Sequence, residues 1–304
     1  MSNENINDMK ITITGSLGNI GQRLTQQLTA KGHEVTVISH SPERATAITA
    51  LQAIPAIGQV NDRGFLQRAF AGADAVFTMI PPHYADVINY MKTVGDHYAA
   101  AIATAGVKYV VNLSAIGAHL PDGPGPTKGN YYVEQQLNAL PGVHVLHLRP
   151  GMFYTNFYGA IPMIMHQHII GNNFGPDVKM VLSHPRDIAD TAADALDALS
   201  FSGKSVRYVA GDEKNGAEIA GILGKAIDQP ALSWIAFPDE ALLQAMTQSG
   251  MSEEMAKVYM IEIGVALREG KLFDDYRRHE KDAYGNIRLE EFAGEFAAAY
   301  ASHQ

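Results

Sequence analysis

ITITGSLGNIGQRL, residues 11–24, is the most informative stretch of this chain for its architecture. A short β-branched run precedes three glycines, Gly15, Gly18 and Gly21, and a helical pattern with an apolar stripe follows them. In dinucleotide-binding turns the first glycine permits a sharp turn, the second lets the backbone approach a pyrophosphate, and the third lets the helix pack on the strand. The stretch therefore predicts a strand, a phosphate-binding turn and the N-terminus of a helix.

Short apolar runs alternate with longer helical stretches along the first half of the chain. The runs lie at 10–14, 34–39, 74–80, 108–114 and 143–148, with a weaker candidate at 53–60. Near-continuous apolar runs are typical of strands buried on both faces of a parallel sheet, and most gaps are long enough for crossover helices. We predict an α/β fold, a Rossmann-type doubly wound parallel sheet with a smaller, mainly helical C-terminal cap.

The chain changes character after residue 150, where Met, Tyr, His and Gly become frequent over 152–176. Further candidate strands lie at 178–183, 205–211 and 231–237, with an amphipathic helix at 187–199. We expect three parts: a flexible N-terminal tail over 1–8, an NAD(P)-binding Rossmann domain over 9–150, and a substrate-cleft or cap region over 151–304 that is interleaved with the sheet.

Composition excludes several classes of protein. A formal net charge of -9, from 23 basic and 32 acidic residues, makes nucleic acid an unlikely partner. The chain has no cysteine, which excludes thiol catalysis and disulfides, and His166 and His168 have no acidic neighbour, so we predict no metal site. The polar N-terminus and the lack of any apolar run of about 18 residues predict no signal peptide, no membrane span and a cytoplasmic location.

The residues after the second candidate strand bear on cofactor choice. An NAD site usually places an acidic residue there for the ribose 2′-hydroxyl, whereas NADP needs room and positive charge. No acid follows Ser39 directly, and His40 with Arg44 can hold a 2′-phosphate. We therefore favour NADP(H) over NAD(H); the alternative is a solvated helix start with an incidental arginine.

Several stretches, taken in order, resemble the NmrA-like family of atypical short-chain dehydrogenases/reductases. They are 15–21, 41–44, 66–82, 110–119, 133–137, 148–157, 186–196 and 285–300. The resemblance implies a Rossmann-type domain that binds NAD(P) and a smaller C-terminal part that forms the substrate cleft. It also implies a set of cofactor-binding positions: Gly15, Leu17, Gly18, Asn19, Ile20 and Gly21 at the pyrophosphate, His40 and Arg44 at the 2′-phosphate, Met79, Ile80 and Pro81 along the ribose or nicotinamide side, and Ser114, Ala115, Pro150, Gly151 and Phe153 around the nicotinamide.

The chain departs from that family at the proton-transfer residues. Short-chain dehydrogenases pair a tyrosine with a lysine four residues later, which lowers the pKa of the phenol. Tyr131 and Tyr132 are each followed at that spacing by glutamine, and Asn130 stands where NmrA-like members often carry lysine. The sequence therefore assigns no catalytic residue, and Ser114, Tyr131 and Lys128 are left as candidates.

Two functions fit these observations. The first is an NAD(P)H-dependent oxidoreductase that transfers a hydride to a planar small-molecule acceptor, such as a quinone or azo compound, held by apolar residues. Candidates for that wall are Phe153, Tyr154, Phe157, Tyr158 and Met163. The second is a non-enzymatic NADP(H)-sensing regulatory protein that acts through a protein partner. A third and weaker hypothesis is an epimerase or dehydratase, because such an enzyme needs an efficient base at the tyrosine position. Apolar helix faces after residue 239 leave a homodimer or a protein partner open.

Overall fold

The computed structural model describes residues 9–303, so the tail expected over 1–8 lies outside the described residues. The strands are β1 (Lys10–Ile13), β2 (Glu34–Ser39), β3 (Ile54–Ile57), β4 (Ala75–Thr78), β5 (Tyr109–Leu113), β6 (His144–Pro150), β7 (Met152–Phe153), β8 (Ile169–Asn172), β9 (Lys179–Ser183), β10 (Lys204–Val209), β11 (Asp212–Asn215) and β12 (Ser233–Ala236).

The helices alternate with the strands and dominate after β12. They are α1 (Gly21–Ala30), α2 (Ala45–Ala50), α3 (Arg63–Phe70), α4 (Val87–Ala105), α5 (Pro126–Asn138), α6 (Ile161–Gln167), α7 (Pro185–Ala198), α8 (Gly216–Ala226), α9 (Asp239–Gln248), α10 (Glu253–Met255), α11 (Glu262–Glu269), α12 (Asp274–His279) and α13 (Leu289–Ala301). A π-helical turn, Ala256–Ile261, joins α10 to α11. None of the helices within residues 9–303 is long and apolar enough to cross a membrane.

Seven parallel strands form the main sheet in the order β10-β6-β5-β4-β1-β2-β3. The chain moves outward from β1 to β3 and then returns to place β4 on the other side of β1. Ligands of doubly wound sheets bind at such a switch point, outside the carboxyl ends of the strands. The predicted Rossmann-type sheet is confirmed, and its third strand is the weaker candidate run.

Two apolar layers cover the faces of this sheet. On one face, Leu24 and Leu28 of α1 pack with Ile188 of α7 against the strands. On the other face, Leu66 of α3 and Tyr98 of α4 belong to the core cluster, together with residues of α5. Helices on both faces bury every central strand, which is why those strands read as continuous apolar runs.

The C-terminal part contributes to the main sheet and also builds a core of its own. Strand β10 pairs with β6 as an outer strand of the main sheet, and α7 lies on that sheet. In contrast, β9 pairs with β7 and β11 in a three-stranded sheet, and β12 pairs with β8. A separate apolar cluster, which includes Trp234, Phe292 and Phe296, fills the space beneath these small sheets and the C-terminal helices.

Candidate functional site

The turn after β1 has the geometry that its glycines predict. Gly15 has a φ of +95° and Ser16 follows at +56°. A Cβ atom on Gly15 would lie 2.2 Å from Met79 Sδ, and one on Gly21 would lie 2.0 Å from the carbonyl oxygen of Ser16. At Gly18 the nearest atom to such a Cβ is 3.6 Å away. The turn is therefore packed tightly at both ends and open at Gly18, in front of the N-terminus of α1.

A cavity of about 410 Å³ continues from this turn along the carboxyl ends of β2 and β3. Its lining comes from Gly15, Ser16, residues 38–40, residues 58–61, Pro81, Pro82 and Tyr90. Three predicted cofactor residues, Gly15, His40 and Pro81, thus meet in one place. None of the described residues that line the cavity is acidic. The cavity lies where doubly wound sheets bind the adenosine half of a dinucleotide.

Residues 58–61 are part of this lining that the predicted set omits. They directly follow β3, and Gly58 N donates to the carbonyl oxygen of Ser39 at 2.9 Å, which ties the two strand ends together. Their position after a strand of a parallel sheet was the signal available in the sequence. The neighbouring Asp62 points elsewhere, since its Oδ1 accepts a hydrogen bond from Phe65 N at 3.0 Å and caps α3.

Four of the predicted cofactor residues have side chains in the apolar layers. Ile20 is 3% exposed within the core, and Leu17 packs on the same cluster. Ile80 packs on the layer of the opposite face. Met79 supports the turn: its side chain lies against Gly15 and its backbone oxygen accepts from Tyr98 Oη at 2.7 Å. Ile20 is therefore a core residue, whereas Leu17, Met79 and Ile80 are only partly buried.

Two other predicted residues lie at the surface. Asn19 is exposed beside Gly18 at the mouth of the turn. Arg44 is exposed in the 3-10 turn Pro42–Arg44 and lies outside the cavity lining. The adjacent Glu43 carboxylate accepts a hydrogen bond from Ser41 Oγ. His40 therefore lies at the cavity, whereas Arg44 must reach toward it from the surface.

The residues predicted around the nicotinamide follow β5 and β6. Ser114 N donates to the carbonyl oxygen of Leu148, and Ile116 N donates to that of Pro150, both at 2.8 Å. These bonds extend the pairing of the two strands beyond their ends, so Ser114, Ala115 and Pro150 lie together at the edge of the sheet.

Gly151 and Phe153 lead from that edge to the small sheets. A Cβ on Gly151 would lie 2.4 Å from the carbonyl oxygen of Val181, so only glycine allows β9 to approach this closely. Gly151 N also donates to Ser183 Oγ at 2.8 Å. Phe153 is partly buried and packs on the apolar layer that contains α1. The structure therefore gives Gly151 a packing reason to be glycine, independent of any cofactor.

A buried charged network lies behind Ser114. Ser114 Oγ donates to Glu134 Oε1 at 2.6 Å, and Arg149 holds both oxygens of Glu134 at 2.9 and 2.6 Å. Arg149 also reaches Asp275 Oδ2 at 3.0 Å, and Tyr208 donates to the same oxygen. Burial lowers the pKa of Arg149, but the bonds and charge of Glu134 outweigh it and raise that pKa above its usual range. Arg149 therefore carries its charge, and the network fixes the Ser114 hydroxyl as a donor to Glu134.

Helix α5 places the other two catalytic candidates differently. Tyr131 is partly buried and shares a helix face with Thr127 and Glu134, at spacings of four and three residues. Lys128 lies at the surface, where its Nζ is 3.0 Å from Asp122 Oδ1. The structure thus brings Ser114 and Glu134 together, with Tyr131 on the same side, and directs Lys128 away.

His119 is a further polar group near this network. Both of its ring nitrogens are buried without a hydrogen-bond partner among residues 9–303. Burial lowers the pKa of His119, while the nearby Asp275 opposes that shift and Arg149 adds to it. His119 is therefore neutral near pH 7, and nothing in its sequence context indicated burial.

A second cavity, of about 370 Å³, lies in the C-terminal part, and we call it the methionine pocket. No charged residue lines it within the described chain. Six of its lining side chains are Met152, Met163, Met180, Met246, Met251 and Met260. Its volume falls in the range of small-molecule sites, and its walls are apolar as such sites usually are.

The residues expected to form an apolar wall divide between this pocket and the core. Phe157 and Met163 line the methionine pocket. Tyr154 is fully buried instead, donates to the carbonyl oxygen of Ile287 at 2.9 Å and stacks on Phe292. Tyr158 packs on the same phenylalanine. Two of the five expected wall residues thus pack in the core of the C-terminal part rather than against an open space.

One segment of the C-terminal part, Glu253–Glu269, binds the start of two helices on the main sheet. Glu254 accepts hydrogen bonds from Asp86 N at 3.0 Å and from Val87 N at 3.1 Å, at the N-terminus of α4. Glu262 accepts from Gly125 N at 2.8 Å, immediately before α5. Carboxylates at helix N-termini satisfy free N–H groups and the helix dipole. These two contacts hold the segment against the edge of the main sheet at which β4 and β5 end.

The family model for the NmrA-like family matches residues 7–281. The chain belongs to the NmrA-like family. The structure of NADPH-dependent quinone oxidoreductase from Escherichia coli, complexed with NADPH, is similar with a TM-score of 0.79 at 20% identity, covering 94% of this chain and 99% of that one. NmrA, a negative transcriptional regulator solved with NADP, is similar with a TM-score of 0.74 at 16% identity, covering 98% of both chains.

A relative from Streptomyces griseus is a (4-alkanoyl-5-oxo-2,5-dihydrofuran-3-yl)methyl phosphate reductase. It is 28% identical over 225 residues, which cover 71% of this chain and 75% of the relative. Proteins of similar fold therefore include a quinone oxidoreductase and a transcriptional regulator, so the fold alone does not determine the activity.

Proposed function

We propose that this protein is an NADPH-dependent oxidoreductase that reduces a planar small-molecule acceptor such as a quinone. The observation that carries the proposal is a pair of cavities, one at the glycine turn and one in the C-terminal part, with the ends of β5 and β6 between them. A reductase needs a cofactor site and an acceptor site that converge on one reacting centre. The similar structure is that of a quinone oxidoreductase, and the Streptomyces griseus relative is a (4-alkanoyl-5-oxo-2,5-dihydrofuran-3-yl)methyl phosphate reductase, so both names describe the reduction of a small molecule.

The glycine turn fits the pyrophosphate of a dinucleotide. Gly18 is exposed and open, so its backbone can approach a ligand, and α1 begins at Gly21 with no acidic residue in its first turn. Free N–H groups at a helix N-terminus bind phosphate oxygens. When bound, NADPH supplies the hydride, while the residues of this chain orient the reactants.

The adenosine cavity supports NADP(H) rather than NAD(H). The end of β2 offers Ser39 and His40, and no carboxylate of the described lining competes with a 2′-phosphate or pairs with a ribose 2′-hydroxyl. Arg44 lies one turn beyond His40, where a flexible exposed side chain reaches a phosphate.

The ends of β5 and β6 limit the kind of chemistry. Ser114 directs its hydroxyl proton to Glu134, so this hydroxyl accepts a hydrogen bond from a ligand rather than donating one. Lys128 lies at the surface beside Asp122. A carbonyl substrate needs a positioned proton donor, whereas a quinone takes its protons from water after reduction. The site therefore favours an acceptor that does not depend on a tyrosine–lysine pair.

The exposed apolar side chains do not favour the alternative of a regulatory protein. Ile54 and Ile57 lie on β3, at one edge of the main sheet, while Val206 lies on β10, at the other edge, and Tyr284 pairs with Val209 of the same strand. Tyr84 is exposed in the loop before α4. A docking surface for a protein partner usually has one contiguous apolar patch. The enzyme is thus the better supported of the two functions.

NADPH consumption with a panel of quinones, azo dyes and carbonyl compounds tests the proposal. We expect turnover with quinones, and we expect Gly18→Ala to raise the KM for NADPH at least about tenfold, because the added methyl group meets the pyrophosphate. Gly175→Ala is the matched control, since a Cβ there has no neighbour within 4 Å and the residue lies outside both cavities. Tight NADPH binding without consumption by any acceptor would contradict the proposal and favour the regulatory function.

A further inference from the structure

We infer that the methionine pocket binds an unbranched apolar chain carried by the acceptor, so that the preferred substrate has a reducible planar head and a long aliphatic tail. This inference rests on the proposed oxidoreductase activity, and it divides the acceptor site: the tail occupies the methionine pocket, and the planar head lies at its mouth, beside the ends of β5 and β6. The pocket lies in the C-terminal part, away from the glycine turn.

The pocket begins at the reacting end of the cleft. Met152, one of its lining residues, directly follows Gly151 at the end of β6. Ile263 lines the pocket as well, and a Cβ on Gly125, just before α5, would lie only 3.2 Å from its Cδ1. The cavity thus extends from the edge where β6 and α5 meet into the C-terminal part. A tail that enters it leaves its head group beside Ser114.

The walls suit a flexible chain better than a flat ring. Among the aromatic residues of the lining, Phe174 and Trp234 pack against each other, with ring centroids 5.3 Å apart and planes tilted by 32°, rather than forming a parallel-walled slot. Trp234 Nε1 donates to the carbonyl oxygen of Phe174 at 2.9 Å, so its polar group is already satisfied. Most of the remaining surface is thioether and aliphatic, and methionine side chains adapt their shape to a chain.

The polar content of the lining points in the same direction. Asn156, Asn172 and Tyr259 are its polar side chains, and no described lining residue is charged. A phosphate or carboxylate in this space would lose its hydration without a charged partner, which is costly. An aliphatic chain incurs no such penalty and gains from leaving water.

The roof of the pocket comes from the segment Glu253–Glu269. Tyr259 and Met260 lie in its π-helical turn and line the cavity. π-helical turns within α-helices are frequent at functional sites. The same segment is bound to α4 and α5 by Glu254 and Glu262, so the roof of the tail pocket is coupled to the walls of the cleft.

Benzoquinones with the same head and unbranched tails of increasing length test the inference by activity. We expect kcat/KM to rise about two- to fourfold for each added methylene group until the pocket is full, and then to level off. Ala160→Phe places a ring in the cavity and should abolish this dependence while short-tailed quinones still react. Equal kcat/KM values for all tail lengths would overturn the inference and leave the oxidoreductase activity standing.

Binding without reduction gives the second test. Trp234 is the single tryptophan of the chain and lines the pocket, so its fluorescence reports occupancy. We expect 1-decanol to change this fluorescence without NADPH, and Met163→Ala to shift its dissociation constant by at least about threefold. Met165→Ala is the matched control, because Met165 lies on the same helix and packs on the same core without lining the pocket.

The two tests separate the two ideas. A fluorescence response to 1-decanol that Met163→Ala alters, in a protein that reduces no quinone, supports the tail pocket and contradicts the oxidoreductase function. A response that neither Met163→Ala nor Ala160→Phe changes would overturn the tail pocket, whatever the turnover.

Discussion

Arg149 and Glu134 form a buried two-point ion pair, with N–O distances of 2.9 and 2.6 Å, directly behind the Ser114 hydroxyl. The arginine comes from β6 and the glutamate from α5, so the pair joins the sheet to a helix at the edge where the strands end. The side chain of Arg149 is 8% exposed to solvent and that of Glu134 is 2% exposed. The pair fixes the direction of the Ser114 hydroxyl bond and thereby the polarity of this end of the cleft.

Breaking that ion pair should destabilise the fold strongly. Arg149→Met leaves the Glu134 carboxylate buried without its cation, and we expect the free energy of unfolding to fall by about 3–5 kcal/mol, measured by urea denaturation. Arg23→Met is the matched control. Arg23 makes two hydrogen bonds to Asp190, but both side chains are about 40% exposed, so we expect this substitution to cost less than about 1 kcal/mol. Equal losses in both variants would contradict the role of burial.

Cofactor preference should change at the end of β2. We expect the double variant His40→Ala, Arg44→Ala to weaken NADPH binding at least about tenfold and to leave NADH binding unchanged, because the role proposed for both side chains is to bind the 2′-phosphate, which NADH lacks. Fluorescence titration with each cofactor measures the two dissociation constants. Arg68→Ala controls for net charge, because it removes one positive charge from an exposed position of α3 outside the cavity. Parallel weakening of NADPH and NADH would contradict the predicted preference.

The sequence predicted the strands of the main sheet because most of them are apolar runs that can be recognised without any long-range contact. It also predicted the glycine turn, since a positive φ at Gly15 and close packing at Gly21 are demands that only glycine meets cheaply. The strand at 178–183 was predicted as well, but not that β9 would join β7 and β11 in a separate sheet. Strand pairing depends on tertiary contacts that a local pattern does not contain.

The candidate site was predicted less completely for the same reason. The pairing of Glu134 with Arg149 joins residues 15 positions apart on different elements, and no spacing rule links them. The methionine pocket draws its lining from residues 152–267. The sequence proposed two of these residues, Phe157 and Met163, for an acceptor wall, but it gave no signal that five further methionines converge with them. Gly151 was assigned to the nicotinamide, whereas its contact with Val181 supplies a packing reason that only the folded chain reveals.

His147 should make stability depend on pH below neutrality. Its Nδ1 accepts from Asn112 and its Nε2 donates to Asn138, at 3.1 and 3.0 Å, which fits the neutral ring. Burial lowers the pKa of His147 to about 4, while the charged groups near it are Glu134, which opposes the shift, and Arg149 and Lys204, which add to it. The unfolded chain binds a proton near pH 6.5, whereas the native protein does not until about pH 4.

The sign of this effect follows from the lowered pKa. Above pH 6.5, His147 is unprotonated in both the folded and the unfolded state and contributes no pH dependence. Between pH 6.5 and 4 only the unfolded state binds the proton, so the free energy of unfolding falls as the pH falls, by about 3 kcal/mol in total. We expect His147→Gln to remove this part of the pH dependence of the urea midpoint. His166→Gln, at an exposed position of α6, controls for the loss of one histidine. An unchanged slope in His147→Gln would contradict the prediction.

Replacing Glu254 in the segment Glu253–Glu269 should lower the stability of the protein and weaken acceptor binding. Glu254→Ala removes the bonds to Asp86 N and Val87 N, and we expect a loss of about 1 kcal/mol in unfolding free energy, since a helix cap is removed. Because the same segment roofs the methionine pocket, the KM for a long-tailed quinone should rise more than the KM for NADPH. Glu253→Ala is the matched control: that carboxylate pairs only with exposed Lys257 among the described residues and should change neither constant. Steady-state kinetics with each substrate varied in turn measure both KM values. An equal rise of the two values in Glu254→Ala would show that the cap supports the whole fold rather than the acceptor site.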